Sequence, residues 1–238
     1  MGNLKFNLDK NRDKIKKYCF YLPMPIIYQK QLPNNGELGV WKITESENFF
    51  EERLQLFPEE AAQLAEIKGR LRLEWMASRW LLHTMSGRKI RGACVKDVFG
   101  KPYLTDSPFD ISISHSWDVV TVMAAPYSIG VDIQKEVGKI ARIAPKFMRP
   151  VEKESLVEGT KIPHLHIYWG AKEALYKAYG RKELGFIEHI HIDPFAYDLQ
   201  VGQTTGAIHK GSYHAYFDVF YEKVANSYLV TALEQTSS

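Results

Sequence analysis

Several short stretches alternate apolar with polar positions. Val40 to Thr44 sets Trp41 and Ile43 against Lys42 and Thr44, the two-residue period of a strand with one buried face. Phe109, Ile111 and Ile113 alternate with Asp110, Ser112 and Ser114, which predicts a second half-buried strand. Val119 to Ala124 is apolar and β-branched, as a buried strand would be. A turn at Pro126–Ser128 follows, and Ile129 to Gln134 starts another strand. Further strand-like runs lie at Ile190–Ile192, Tyr213–Tyr221 and Tyr228–Leu233.

Helical periods separate these strands. Pro58, Glu59 and Glu60 suit a first helical turn, where proline loses no hydrogen bond and carboxylates face the positive end of the dipole. Leu64, Ile67, Leu71, Trp75, Met76 and Trp80 then recur at the spacing of an amphipathic helix. Gly69 weakens it locally and allows two shorter helices. A helical stretch from Ile140 to Glu158 is broken near Pro145 and Pro150. Ile167 to Tyr179 is dense in helix formers and closes at Gly180. Residues 31–36, Gln-Leu-Pro-Asn-Asn-Gly, read as a turn. Strands and helices occur in both parts in similar proportion. The pattern predicts an α+β protein of two halves, residues 1–127 and 128–238, joined near Tyr127.

Composition narrows the classes. Of 238 residues, 45% are apolar and 25% charged, ordinary usage for a globular protein and foreign to disordered, collagen-like or multispan membrane chains. Lys and Arg total 31 against 28 Asp and Glu, a net charge of +3. That excess is too slight for a nucleic-acid surface, but it permits a local basic pocket. Cys19 and Cys94 lie far apart and form no C-x-x-C, so they read as reduced thiols in a cytoplasmic protein. Lys5, Lys10, Arg12, Lys14, Lys16 and Lys17 precede an apolar run, Cys19 to Tyr28. Pro23 and Pro25 interrupt that run, Asp9 and Asp13 sit among the basic residues, and no small-residue cleavage site follows. It therefore does not read as a signal peptide, and it is too short to span a membrane.

Three places can carry chemistry. Asp132 lies in an apolar strand, where a carboxylate is costly unless exposed, paired or bound to a metal. Trp169, Glu173 and Lys177 share one helix face at four-residue spacing; alone, the last two would be an ordinary surface ion pair. Ser114-His115-Ser116 offers hydroxyls, an imidazole and backbone N–H groups able to hold phosphate oxygens, with Lys101 and the Arg70, Arg72 and Arg79 group as sources of positive charge. A solvated basic face is the plainer reading of those arginines. The H-x-H pairs His164/His166 and His189/His191 lack a further zinc ligand set of familiar spacing. No P-loop, G-x-G-x-x-G or G-x-S-x-G is present.

The order and spacing of these pieces are more specific than any one of them. Phe99-Gly100-Lys101-Pro102, Ile113-Ser114-His115-Ser116, Gly130-Val131-Asp132-Ile133 and Trp169-x-x-Lys172-Glu173-Ala174-x-x-Lys177 together resemble the 4′-phosphopantetheinyl transferases. The resemblance is to the larger monomeric, surfactin-synthetase-activating type. It spans about residues 68–195, including Arg70-Leu71-Arg72-Leu73-Glu74 and Ala77-Ser78-Arg79.

The resemblance implies two similar halves about a pseudo-twofold axis, each a small antiparallel sheet packed with helices, with coenzyme A in the cleft between them. The implied reaction moves 4′-phosphopantetheine from coenzyme A to a serine hydroxyl of an acyl or peptidyl carrier protein. It depends on Mg²⁺ and releases adenosine 3′,5′-bisphosphate. By the same resemblance Asp132 and Glu173 are metal ligands and Lys177 binds pyrophosphate or assists proton transfer. Ser114, His115 and Lys101 face the cofactor, with Arg70 and Arg79 toward its nucleotide end, and Glu152 is a further acidic position. The family's metal motif commonly carries a second acid where Gln134 stands here, so the Gln134 amide oxygen is the third candidate ligand. A degenerate protein that binds coenzyme A or a carrier without transfer is the alternative. Lys139, Arg142, Lys146, Phe147 and Met148 are candidates for a lip that meets an acidic carrier.

Overall fold

The computed structural model describes residues 25–235; Cys19, the basic residues up to Lys17 and most of the apolar run lie outside them. The chain order is β1 (Ile26–Leu32), β2 (Gly36–Lys42), α1 (Glu47–Glu51), α2 (Pro58–Ala65), α3 (Arg70–Ser86), β3 (Cys94–Lys96), β4 (Pro102–Leu104), β5 (Asp110–Ser116) and β6 (Val119–Ala125). It continues with β7 (Ile129–Lys135), α4 (Ile140–Ile143), α5 (Pro150–Glu154), α6 (Lys161–Tyr179), β8 (Ile190–Ile192), β9 (Val201–Lys210), β10 (Tyr213–Val224) and β11 (Ser227–Glu234). The architecture is α+β, with two antiparallel sheets. One has six strands in the order β1-β2-β6-β5-β4-β3; the other has five, ordered β7-β11-β10-β9-β8.

Each sheet buries one long helix. Trp75, Met76, Leu81 and Leu82 of α3 pack with Trp41, Ile111, Val120 and Val122 of the first sheet. Leu165, Tyr168, Ala171 and Leu175 of α6 pack with Ile190, Ile208, Phe217 and Val230 of the second. A third cluster joins the sheets: Leu38, Val40, Val119 and Met123 meet Ile129, Val131, Ile133 and Leu229. No helix among the described residues is long and apolar enough to cross a membrane.

Where the sheets meet, β5 is tied to β7 through side chains. Asp110 Oδ2 accepts from the Ile129 N–H at 3.1 Å and Ser112 Oγ from Val131 at 2.9 Å. Ser114 Oγ accepts from Ile133 at 3.2 Å and Ser116 Oγ from Lys135 at 3.1 Å. Both strands have a two-residue period, so every second β5 side chain meets every second β7 amide. The Val131 and Ile133 amides are buried and need partners, because buried N–H groups are rarely left unpaired.

As the sequence allowed, two helices replace one long one, with Gly69 between α2 and α3. Elsewhere the structure departs from the sequence reading. The helix read from Ile167 begins six residues earlier, at Lys161, because Pro163 sits in its first turn, where proline is tolerated. Strands β1, β3 and β9 had no counterpart in the periodicity. In β9, Gly202, Thr204 and Gly206 dilute the alternation. β5 runs on through His115 and Ser116, and the chain reverses at Trp117, whose φ is 57°.

Candidate active site

Helix α6 lies directly against β7, and Gly130 makes this possible. A Cβ at Gly130 would stand 1.8 Å from the Ala174 carbonyl oxygen, so no side chain fits between helix and strand. Two residues on, Asp132 projects from the same face of β7. Glu173 and Lys177, one turn apart on α6, meet it there. The i, i+4 spacing and the glycine two residues before the aspartate are thus parts of one arrangement.

Asp132 is 7% exposed and well supplied with donors. Its Oδ1 accepts from Lys177 Nζ at 2.8 Å and from the Ser114 hydroxyl at 2.9 Å. Its Oδ2 accepts from Gln134 Nε2 at 3.1 Å. Lys177 Nζ also donates to the Val131 carbonyl at 2.9 Å. Glu173 differs. Among the described residues its carboxylate has no hydrogen-bond or ion-pair partner. Burial, reinforced by the neighbouring Asp132 charge and only partly offset by Lys177, pushes it up to about 7.

A hard divalent cation takes carboxylate oxygens, so the Asp132–Glu173 pair suits one. A cation there would offset both the burial and the Asp132 charge that raise Glu173. The described residues bring no set of three His, Cys, Asp or Glu side chains together as a metal site. Gln134 turns its N–H toward Asp132, and its oxygen lies 2.8 Å from His166 Nδ1.

On the other side of the cleft, a cavity of about 460 Å³ runs between α3, the Phe99–Pro102 turn, β5 and the end of α6. Lys177, Lys101, His115 and Arg79 line it, as do Lys96 and Arg181, which sequence reasoning missed. Several of these groups already have internal partners. Lys101 Nζ donates to Asp110 Oδ2 at 2.8 Å and to the Ala178 carbonyl at 3.1 Å, clamping the turn onto the end of α6. Glu74 holds His115 Nδ1 at 2.8 Å and Arg70 Nε at 3.3 Å. Arg70 Nε also donates to the Trp117 carbonyl at 2.9 Å. Glu74 could have been noticed one helical turn after Arg70.

Arg79 is buried, stacks over Trp75 at 3.8 Å and donates to Ser78 Oγ at 3.1 Å. Its Nε has no partner, and no carboxylate pairs with it among the described residues. A cavity wall with an unpaired buried guanidinium suits an anionic ligand. Ser114, in contrast, points into the contact between the sheets and is spent on Asp132 and Ile133.

Two other sequence candidates lie elsewhere. Glu152 is fully buried and pairs with Lys172 Nζ at 2.9 Å. Lys172 also donates to the Phe186 and Ile190 carbonyls, at 2.9 and 3.1 Å, and Glu152 accepts from the Arg149 and Ile192 amides. The pair locks α6 to α5 and β8. Adjacent residues on a helix face different ways, so Lys172 turns into the core while Glu173 turns to Asp132. Phe147 and Met148, proposed for a surface lip, are core residues at 0% and 1% exposure; Phe147 packs edge-on against Trp169 at 5.1 Å. Lys139, Arg142 and Lys146 are exposed.

No curated protein significantly matches the chain. Residues 128–232 match the family model of the 4′-phosphopantetheinyl transferase superfamily. The match starts at the residue before β7 and covers α6 and most of the second sheet.

Proposed function

From the premise that residues 128–232 are a 4′-phosphopantetheinyl transferase superfamily domain, we propose that this chain moves 4′-phosphopantetheine from coenzyme A to a carrier-protein serine. The carrying observation is the meeting of Asp132, Glu173 and Lys177 beside a cavity lined with Arg79, Lys96, Lys101, His115 and Arg181. Residues 1–127 supply the α3 side of that cleft and residues 128–238 the carboxylates.

In this reading the basic wall of the cavity holds the phosphates of coenzyme A. Arg79 is the best-placed group, because its charge has no internal counterpart. Lys101, His115 and Arg70 would turn from Asp110, Glu74 and Trp117 toward the ligand. Ser114 acts through Asp132, which it orients. Asp132 and Glu173 would hold Mg²⁺, whose chemistry there is to neutralise phosphate oxygens as charge develops. Lys177 spans Asp132 and the cavity, so its remaining donor capacity faces the bound phosphate. Between Glu173, acting through a water, and Lys177 as the base that takes the serine proton, Glu173 is favoured: its carboxylate has no internal donor, whereas Lys177 already donates to two oxygens. The new Oγ–P bond to serine forms as the P–O bond to adenosine 3′,5′-bisphosphate breaks.

The test is direct. The chain is incubated with coenzyme A, Mg²⁺ and an apo carrier protein, and the carrier is weighed. A gain of one phosphopantetheine unit is the expected result. Coenzyme A binding with no gain on any of several carriers would reject the transferase and favour a non-catalytic binder.

A further inference from the structure

The position that commonly carries a second acid in the resembling family is Gln134 here, and its surroundings define its role. We propose that Gln134 is a positioning residue: His166 holds its amide so that it donates to Asp132 and keeps its oxygen turned from the metal. The inference rests on reading Asp132 and Glu173 as the metal-holding pair.

Two backbone groups of fixed polarity set the direction of every bond. The Val137 N–H can only donate, and it lies 3.0 Å from His166 Nε2. That nitrogen therefore accepts, and the imidazole proton sits on Nδ1. Nδ1 is 2.8 Å from Gln134 Oε1 and donates to it. Independently, the His166 carbonyl can only accept, and it lies 3.0 Å from Gln134 Nε2. The amide nitrogen must therefore face that carbonyl, which leaves Oε1 toward Nδ1. The Val137 carbonyl also lies 3.2 Å from His166 Nε2, but a proton there would strip Oε1 of its donor, so the shorter N–H contact prevails. Both arguments give one orientation, whichever way the amide and the ring are assigned at the outset.

The result is a one-way chain from the Val137 N–H through His166 and Gln134 to Asp132 Oδ2. Both Gln134 N–H bonds are used, one on Asp132 and one on the His166 carbonyl. For Oε1 to ligate a metal, the amide would have to turn over. It would break three hydrogen bonds and set its oxygen against a carbonyl and a carboxylate. His166 itself cannot drift. It is fully buried and stacked on the Tyr228 ring, with centroids 5.5 Å apart and planes 21° apart. The site thus has two carboxylate ligands, one of them held in place by a neutral donor.

The first experiment uses the unaltered full chain. Nitrogen-15 NMR reads the tautomer of His166 and the side-chain amide of Gln134 before and after Mg²⁺ saturation, with binding followed separately by heat. The expected result is a proton on Nδ1 before and after the ion, with the Gln134 amide still a hydrogen-bonded donor. A proton on Nε2, or a change of tautomer on Mg²⁺ addition, would overturn the inference.

The second experiment compares His166→Leu with His166→Asn, whose amide nitrogen can stand where Nδ1 stood. Mg²⁺ affinity should fall by about tenfold in His166→Leu and by under about threefold in His166→Asn. Equal losses in two folded variants, or none in the leucine variant, would also overturn it. These readouts do not involve transfer. If the carrier gains no mass while the tautomer and affinities behave as stated, the proposed activity fails and the role of Gln134 stands. If Asp132→Ala binds Mg²⁺ like the unaltered chain, the metal reading fails and takes the inference with it.

Discussion

Gly130→Ala is the sharpest test of how the site is built. The added Cβ would lie 1.8 Å from the Ala174 carbonyl oxygen, 2.6 Å from its carbon and 3.1 Å from its Cα. All three are backbone atoms, so no rotamer change relieves the clash. A carbon–oxygen contact relaxes at about 3.3 Å, so α6 must withdraw from β7 by roughly 1.5 Å. Overpacking of this kind costs about 1–3 kcal/mol. The functional loss should be larger than the stability loss suggests, because the withdrawal carries Glu173 and Lys177 away from Asp132. A 1 Å misplacement of reacting groups can cost on the order of a hundredfold in rate. The assay pairs urea denaturation with the carrier mass-gain rate. Gly138→Ala is the control, because a Cβ there meets nothing within 4 Å. The expected outcome is a folded Gly130→Ala variant, weakened and at least about a hundredfold slower, beside an unaffected Gly138→Ala. Wild-type stability and rate in Gly130→Ala would refute the argument that the glycine exists to bring α6 onto β7.

Other outcomes follow from the same geometry. Asp132→Ala and Glu173→Ala should each abolish the carrier mass gain while the protein stays folded; full activity in either removes that residue from the site. Lys172→Met should cost about 3–5 kcal/mol in denaturant unfolding, because it strands the buried Glu152, and Lys172→Met with Glu152→Gln should recover part of that loss. A double variant no better than the single one would mean that the pair is not coupled. His164 lies among Tyr168, Phe195 and Tyr197, and burial lowers its imidazole to about 4. The unfolded chain then binds the extra proton between the unfolded value near 6.5 and about 4, so stability should fall as pH drops through that window. His164→Phe should flatten this part of the curve of melting temperature against pH, and an unchanged slope would assign the acid sensitivity elsewhere.

The grouping of candidate residues in the second half was legible because it is local. One strand motif and one helical turn place Asp132, Glu173 and Lys177, and their spacing is visible in sequence. Partners that converge from afar were not. The Asp110–Ser116 alternation reads correctly as a strand, but a polar face looks the same whether it meets water, phosphate or another strand's backbone. That is why Ser114 was assigned to phosphate. Phe147 and Met148 beside exposed Lys146 failed for a related reason: one-dimensional neighbours are not neighbours on a surface. His166 was noticed only as half of an H-x-H pair. Its real partner, Gln134, is 32 residues away and reached only through the packing of α6 on β7.

The four side-chain bonds from β5 to β7 bear on how this chain can be divided. β7 ends the second sheet on its side, and without β5 the amides of Ile129, Val131, Ile133 and Lys135 would form an open edge. Such an edge invites pairing with another chain and aggregation. The stretch that carries the family match begins just before β7, so excised alone it would carry that liability with it. Residues 110–116 act as its built-in edge guard, and a truncation that spares every candidate catalytic carboxylate would still remove the element that covers that edge.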